Sequence, residues 1–123
     1  HGIPFGLGTD SRASSPDLST RLEAMALYQQ RQTPTYNGQM LHDPAQLLNT
    51  LTSKSAALMG VADKTGSLVK GLAADICVFI GHTKATSTAA FSAVLESDTT
   101  LDTLLVNGQA VVSSGQYQAI QAK

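Results

Sequence analysis

The sequence is poor in charge and in cysteine, and each shortage excludes a class of protein. Charged residues make up 14% of the 123 residues, against roughly 25% in typical soluble domains. Lys and Arg number 8 and Asp and Glu number 9, for a formal net charge of −1. The basic surface of a dedicated nucleic-acid-binding protein is therefore not expected. Because Cys77 is the only cysteine, an internal disulfide and a cysteine-rich zinc module are both excluded.

Long apolar runs are also missing. No run approaches the roughly 18 residues that a membrane helix needs, and the segment beginning at His1 lacks the basic and apolar regions of a signal peptide. We therefore expect no membrane partner and a cytoplasmic location. The chain is too short for a complete (β/α)8 barrel, which takes about 250 residues. It begins almost on an apolar run and neither half closes a core, so we expect a piece of a larger protein.

The first half of the chain predicts one strand followed by two helices. The apolar run Ile3–Leu7, set among glycines, is typical of a buried strand. Ser15-Pro16-Asp17 is a helix-start signal, and apolar side chains on one face predict a helix over 16–32. Asp43-Pro44 repeats the start signal, leucines follow at helical spacing, and Gly60 is a natural stop.

The second half predicts mainly β-structure. Residues 75–80 carry the strongest strand signal, with Cys77 as a buried, inert thiol. Asp75 and the preceding Gly71 are interpreted as structural, with the carboxylate accepting backbone N–H groups of the turn. Residues 83–97 fit either a loop or a short helix. Strands over 101–106 and 109–113, joined by Asn-Gly, predict a hairpin, and 115–123 form a tail that could be helical.

The loop Gly8-Thr9-Asp10-Ser11 is the one stretch whose position suggests chemistry. It follows the first predicted strand, and α/β proteins place functional groups at the carboxyl ends of buried strands. A carboxylate there can ligate a divalent cation or accept a proton from water. The alternative, that Asp10 only caps a turn, stays open. His1, His42 and His82 show no metal-ligand spacing and are better interpreted as surface or loop residues.

Four sequence patterns occur in a fixed order over nearly the whole chain. Residues 2–11 are GIPFGLGTDS, Thr52, Ala56 and Gly60 form T-x-x-x-A-x-x-x-G, residues 65–76 are TGSLVKGLAADI, and residues 106–112 are VNGQAVV. Together they resemble the C-terminal third of the metal-dependent amidohydrolase superfamily, in its branch of cyclic deaminases and chlorohydrolases. The first pattern resembles that family's eighth barrel strand with its terminal Asp, and the third resembles its tGsL-x-x-Gk-x-ADlvv stretch.

The resemblance implies an α/β fold that is a fragment of something larger. The family fold is a TIM-like (β/α)8 barrel flanked by a small β-sandwich. Residues 1–62 would supply the last β/α units of the barrel, and residues 63–123 would supply C-terminal strands of the sandwich. The family's metal-binding histidines come from barrel strands 1, 5 and 6, which this chain lacks. The expected partner is therefore the N-terminal barrel portion of the same enzyme, and a homo-oligomer stays open.

The resemblance also implies an activity. It is that of a metal-dependent hydrolase of non-peptide C–N bonds, deaminating a cyclic amidine such as a purine- or triazine-like compound with a metal-activated water. Asp10 would be both catalytic and a ligand of the divalent metal, expected to be zinc, and Ser11 and Arg12 would bind substrate. Arg12 departs from the small residue often found there. This chain alone is expected to be inactive. A non-catalytic α/β interaction module and an inactive paralogue are the alternatives.

Overall fold

A computed structural model of the chain describes residues 3–30, 43–81, 86 and 89–118. Within the described residues, three helices precede the whole sheet, and a fourth helix lies between the first two strands. The elements in chain order are α1 (Thr20–Gln30), α2 (Pro44–Asn49), α3 (Ser53–Leu58), β1 (Ile76–Ile80), α4 (Ala90–Val94), β2 (Thr100–Val106), β3 (Gln109–Ser113) and β4 (Gln116–Tyr117).

The described strands form one antiparallel sheet in the order β1-β2-β3-β4. The predicted hairpin is confirmed: β2 and β3 are joined by Asn107 and Gly108, whose φ angles are 49° and 77°. Two successive positive φ angles are those of a type I′ turn, which matches the natural twist of a hairpin. The tail prediction is wrong at its start, because Gln116 and Tyr117 pair with β3 as a short strand, after a turn in which Ser114 and Gly115 also have positive φ.

The β1 strand is confirmed, but the prediction that Cys77 is buried is wrong. Cys77 is exposed, because β1 pairs with β2 alone among the described strands and the described helices pack mainly on one another. Partial desolvation raises the pKa of its thiol, so the prediction that it is a poor nucleophile still stands.

The core of the described residues lies among the helices. Ala24 and Leu47 are completely buried, Leu95 is 2% exposed, and Met25 and Tyr28 complete the cluster. The α1 residues among these are separated by one to four positions, so they lie on one face of the helix.

Helix α1 begins later than predicted. Residues 16–19 form turns and Leu18 has φ 51°, a left-handed conformation that a helix cannot include. Ser19 then caps the helix: its hydroxyl accepts the backbone N–H of Leu22 at 3.3 Å. Leu18 and Leu22 are 45% and 39% exposed, and the buried face of α1 is formed by Ala24, Met25 and Tyr28. The predicted end at residue 32 lies outside the described residues.

The predicted strand Ile3–Leu7 is not formed. A strand needs neighbouring strands to pair its backbone groups. The backbone hydrogen bond that this segment makes within the described residues runs from the Leu7 N–H to the Thr50 carbonyl, at 3.2 Å. Ile3 and Phe5 are 75% and 44% exposed, and together with Leu58 on α3 they line an apolar groove of about 530 Å³. The segment is extended and packs on α3 without becoming part of a sheet.

The second predicted helix is divided into α2 and α3. Asp43 caps α2 as predicted, since its carboxylate accepts the N–H groups of Ala45 and Gln46, and the Gln46 bond leads the lowering of its pKa. The break falls at Thr50, which is fully buried; its hydroxyl donates to the Leu47 carbonyl at 2.6 Å. A threonine that bonds back to its own helix in this way disturbs the helix.

Two further predictions are confirmed. Gly60 ends α3 with φ 70°, the left-handed stop that glycine adopts without penalty. The short-helix option for 83–97 is also confirmed by α4, although residues 82–85 and 87–88 lie outside the described residues. No helix of the described residues is long and apolar enough to cross a membrane.

Candidate functional site

The loop that carries Asp10 is closed by a tight backbone turn. The carbonyl of Ser11 accepts the N–H of Ser14 at 3.2 Å and the N–H of Ser15 at 2.8 Å. Asp10 immediately precedes this turn, is exposed, and has φ 57°. Its carboxylate accepts the Ser14 hydroxyl at 3.2 Å. Among the described residues, the carboxylate is contacted by one neutral donor of its own loop. That hydroxyl also lies 3.1 Å from the Ser11 carbonyl, so its single proton is shared between two acceptors.

Ser11 and Arg12 lie beside Asp10 on the same exposed turn. The Ser11 carbonyl is used by the turn. Within the described part of the chain, the Ser11 hydroxyl and the Arg12 guanidinium make no hydrogen bond. Their polar groups are therefore accessible to solvent or to a ligand, next to the carboxylate.

The far end of the loop is fastened to α1 by a contact that the sequence pattern did not reveal. The Ser15 side chain, 4% exposed, donates its hydroxyl proton to the Glu23 carboxylate at 2.6 Å. Asp17, on the same turn, accepts the Ser19 N–H at 3.0 Å. The sequence predicts a helix start at Ser15-Pro16-Asp17, whereas α1 begins at Thr20, and a contact eight residues ahead on α1 has no local signature.

Helix α1 is in turn fastened to the segment that leads into β2. The Arg21 guanidinium donates to the carbonyls of Val94, Glu96 and Thr99 at 2.7, 2.7 and 2.8 Å. Its charged end also lies over the Phe79 ring, 5.3 Å from the centroid, within the range of a cation–π contact. Partial burial lowers the Arg21 pKa, but a guanidinium stays charged in proteins.

A second aspartate lies where two of the four sequence patterns meet. The Asp75 carboxylate accepts the Asn107 backbone N–H at 2.7 Å and the Thr65 hydroxyl at 2.7 Å. These bonds, led by that from Asn107, lower the pKa of Asp75. The prediction that Asp75 binds backbone N–H groups is confirmed, but its partner belongs to the β2–β3 turn and not to the turn beside it. Gly71, with φ 100°, makes that nearer turn as predicted.

The helix pattern and the Thr-Gly-Ser-Leu pattern also meet in space. Gly66 lies against α3 with φ 95°, and a Cβ there would lie 2.6 Å from the Ala56 Cβ and 3.3 Å from the Thr52 carbonyl oxygen. Only glycine fits both the conformation and the space. We call the packed region formed by Ala56, Gly66, Asp75 and Asn107 the joint. Packing and hydrogen bonding in the joint give a structural reason for residues from three of the four family-like patterns.

The described residues do not assemble a metal centre by themselves. They contain no group of three or more His, Cys, Asp or Glu side chains close enough to hold an ion, and His1, His42 and His82 lie outside them. Catalytic zinc sites use three protein ligands and an open position. Among the described residues, the exposed Asp10 carboxylate could supply one such ligand.

The mixed α/β architecture with an antiparallel sheet defines the class of the chain, and comparison with known proteins gives its family. The model described as "Amidohydrolase family" matches residues 1–111, and the chain belongs to this family. No curated protein matches the chain. A similar fold occurs in the crystal structure of an amidohydrolase from Thermotoga maritima MSB8, at 18% identity and a TM-score of 0.55. The match covers 81% of this chain and 21% of that one.

Proposed function

We propose that the chain is the C-terminal part of a metal-dependent hydrolase that acts on non-peptide C–N bonds. Residues 1–62 would complete a (β/α)8 barrel, and residues 63–123 would complete a small β-sandwich. The family match over 1–111 supports this proposal. So does the exposed, unpaired segment at Ile3 and Phe5, which has the composition of a buried strand but lacks strand neighbours within the described residues. The barrel strands of the same enzyme are its expected partner.

The observation that carries the catalytic assignment is the exposure of the Asp10 carboxylate. A group that transfers protons must be reachable by substrate and must not be committed to strong internal bonds. Asp10 is exposed, and within the described residues its carboxylate is contacted by the Ser14 hydroxyl at 3.2 Å. Its loop follows the segment that resembles the family's eighth barrel strand, where barrel enzymes carry their functional groups.

The reaction replaces a C–N bond of a cyclic amidine by a C–O bond. A divalent metal, with zinc favoured, supplies a water of lowered pKa when it is bound. Asp10 contributes one carboxylate oxygen to the ligand set, and the histidine ligands come from outside this chain. The carboxylate accepts the proton of the attacking water and then delivers it to the leaving nitrogen, which departs as ammonia. The same group thus acts first as a base and then as an acid.

Ser11 and Arg12 are the proposed substrate-binding residues. Both side chains are exposed beside Asp10. A hydroxyl can donate to or accept from a ring nitrogen, and a guanidinium can bind a carbonyl or an anionic group. This favours a flat, nitrogen-rich ring of the aminopurine or aminotriazine kind. A second function has one observation in its favour: the Ser14–Asp10 bond is also what a simple turn cap makes, as in a non-catalytic module.

The test is a substitution at Asp10 in the complete, zinc-loaded protein. Ammonia release is measured from a panel of aminopurines and aminotriazines. Asp10→Asn keeps the size of the side chain and removes the base, so turnover should fall about 10²- to 10⁴-fold while most of the zinc is retained. Asp17→Asn is the matched control, and it should cost little activity. Near-normal turnover in zinc-loaded Asp10→Asn would make Asp10 a turn cap.

The isolated chain gives a complementary test. Because one carboxylate cannot replace a full ligand set, the 123-residue chain should release no ammonia from the same panel. It should also bind zinc weakly in calorimetry. A tight stoichiometric zinc site on this chain alone would contradict the proposed division of ligands.

A further inference from the structure

We propose that Glu23 is the positioning residue for Asp10, and that it acts through the buried hydroxyl of Ser15. The inference rests on the proposed function, because it gives Asp10 a catalytic role. It adds a residue that lies outside the loop and that no motif indicates. The structural basis is a continuous path of contacts from α1 to the Asp10 carboxylate.

The first contact in the path is short and well protected. The Ser15 hydroxyl lies 2.6 Å from the Glu23 carboxylate, in the range of hydrogen bonds from a hydroxyl to a charged oxygen. Ser15 is 4% exposed, so water competes poorly for its hydroxyl. The Asp17 carboxylate lies 3.5 Å from the same hydroxyl, too far to compete with Glu23 for its single proton.

The second contact transmits the position of Ser15 to the loop. The Ser15 N–H closes the turn on the Ser11 carbonyl at 2.8 Å, and the Ser15 carbonyl accepts the Leu18 N–H at 3.0 Å. Both backbone groups and the side chain of Ser15 are therefore fixed. The turn between Ser11 and Ser15 has little freedom to shift relative to α1.

The backbone conformation of Asp10 has to be stabilised by its surroundings. Its φ of 57° is in the left-handed region, which an aspartate tolerates but does not prefer. If the turn loosened, Asp10 would relax toward negative φ and its carboxylate would point elsewhere. Its bond from Ser14, at 3.2 Å on an exposed surface, is too weak to prevent that alone.

Helix α1, which carries Glu23, is itself held in place. Arg21 lies two residues before Glu23 and holds three carbonyls of the segment leading into β2. Ala24, directly after Glu23, is completely buried. Functional groups have to be held within a fraction of an ångström by residues that are themselves locked, and α1 meets that condition.

The test measures kcat, KM and thermal stability of the complete, metal-loaded protein on the best substrate of the ammonia-release panel. Glu23→Ala should lower kcat about 10-fold or more, as loss of a supporting contact around a site usually does, with KM nearly unchanged. Glu23→Gln retains an oxygen acceptor for the Ser15 hydroxyl and should restore most of the kcat. Gln29→Ala, an exposed position of the same helix, is the matched control.

A second variant and a spectroscopic readout separate positioning from folding. Ser15→Ala removes the same bond from the other side, so it should reproduce the kcat loss, and the double variant with Glu23→Ala should add little to it. In the cobalt-substituted complete protein, the visible bands should change in both single variants, in the direction seen with Asp10→Asn. They should not change in Gln29→Ala.

The outcomes distinguish this inference from the proposed function. If Asp10→Asn abolishes turnover but Glu23→Ala and Ser15→Ala behave like Gln29→Ala, the positioning role is overturned and the catalytic role of Asp10 stands. If Glu23→Gln is as damaged as Glu23→Ala and the cobalt bands do not move, Glu23 is only structural. If Asp10→Asn keeps its turnover, the proposed function fails and the inference fails with it.

Discussion

Asp10 and Asp75 both lie beside turns and both are exposed, yet their surroundings are opposite. Asp75 accepts two 2.7 Å bonds from partners 10 and 32 residues away. Within the described part of the chain, Asp10 accepts one 3.2 Å bond, from a partner four residues away. A carboxylate that accepts hydrogen bonds from distant elements stabilises the fold. A carboxylate bonded within its own loop is more accessible to a ligand. We therefore treat the joint as a structural region and the Asp10 loop as the candidate functional region.

The largest effect on stability is expected at the centre of the joint. Gly66→Ala forces a side chain into a left-handed backbone, against the Ala56 side chain. The strain and the clash together should lower the free energy of unfolding by about 2–4 kcal/mol. Urea unfolding of the complete protein measures this.

The matched glycine in the other region is Gly8. A Cβ there meets nothing within 4 Å, so Gly8→Ala should leave the urea midpoint nearly unchanged. Equal losses in the two variants would remove the distinction between a packed joint and an open loop.

Arg21 should give the next largest effect. Arg21→Met keeps most of the aliphatic stem and removes the bonds to Val94, Glu96 and Thr99. Loss of charge-assisted bonds to part-buried carbonyls should cost about 2 kcal/mol, measured by urea unfolding. Arg12→Met is the control, since Arg12 is exposed and makes no hydrogen bond within the described residues. A larger loss from Arg12→Met would be incompatible with Arg21 as the link between α1 and the sheet.

Asp75→Ala should lower the melting temperature by a smaller amount and leave the pH dependence of turnover unchanged. The effect should itself depend on pH. Bonds from Asn107 and Thr65 depress the pKa of Asp75 in the folded protein. The stabilisation is therefore present above the unfolded pKa of about 4 and is lost as the pH falls through the lower folded value.

The measurement compares melting curves of the complete protein and Asp75→Ala across this acid range. The gap between the two should close as the pH falls. Asp63→Ala, at an exposed turn position, serves as the control. A kinetic defect in Asp75→Ala at an unchanged melting temperature would reverse the roles given to the two aspartates.

The smallest effect is expected at Ser14. Ser14→Ala removes the hydroxyl contacts to the Asp10 carboxylate at 3.2 Å and to the Ser11 backbone at 3.1 and 3.4 Å. All are exposed, so the free energy of unfolding should change by less than about 0.5 kcal/mol. Chemical unfolding is again the measurement. A loss comparable to that from Arg21→Met would show the Asp10 loop to be as tightly built as the joint.

Elements specified by neighbouring residues were predictable from the sequence, and those specified by distant ones were not. Asn107-Gly108 needs only its own conformational preference to form the hairpin turn, and Asp43 caps the helix that it precedes. The strand at Ile3–Leu7 failed as a prediction because pairing depends on other strands. Cys77 is exposed because burial depends on what covers a sheet.

The candidate site shows the same division. Asp10, Ser11 and Arg12 could be named because they follow an apolar segment and match a family pattern. Glu23 and Arg21 could not be named, because their partners are separated from them by eight residues and by more than seventy residues. The sequence spacing contains no record of such contacts.

The bonds of Arg21 also imply an order of events during folding. The β2–β3 turn closes with two residues, and hairpins of this kind form in about 1–10 μs. The Arg21 bonds close loops of 73 to 78 residues. Closing such a loop costs conformational entropy, and the bonds can compensate this cost only after both ends of the loop are ordered. We therefore expect the hairpin to belong to the folding nucleus and α1 to dock late. A substitution that weakens the Asn107-Gly108 turn would then slow folding, and loss of the Arg21 bonds would mainly accelerate unfolding.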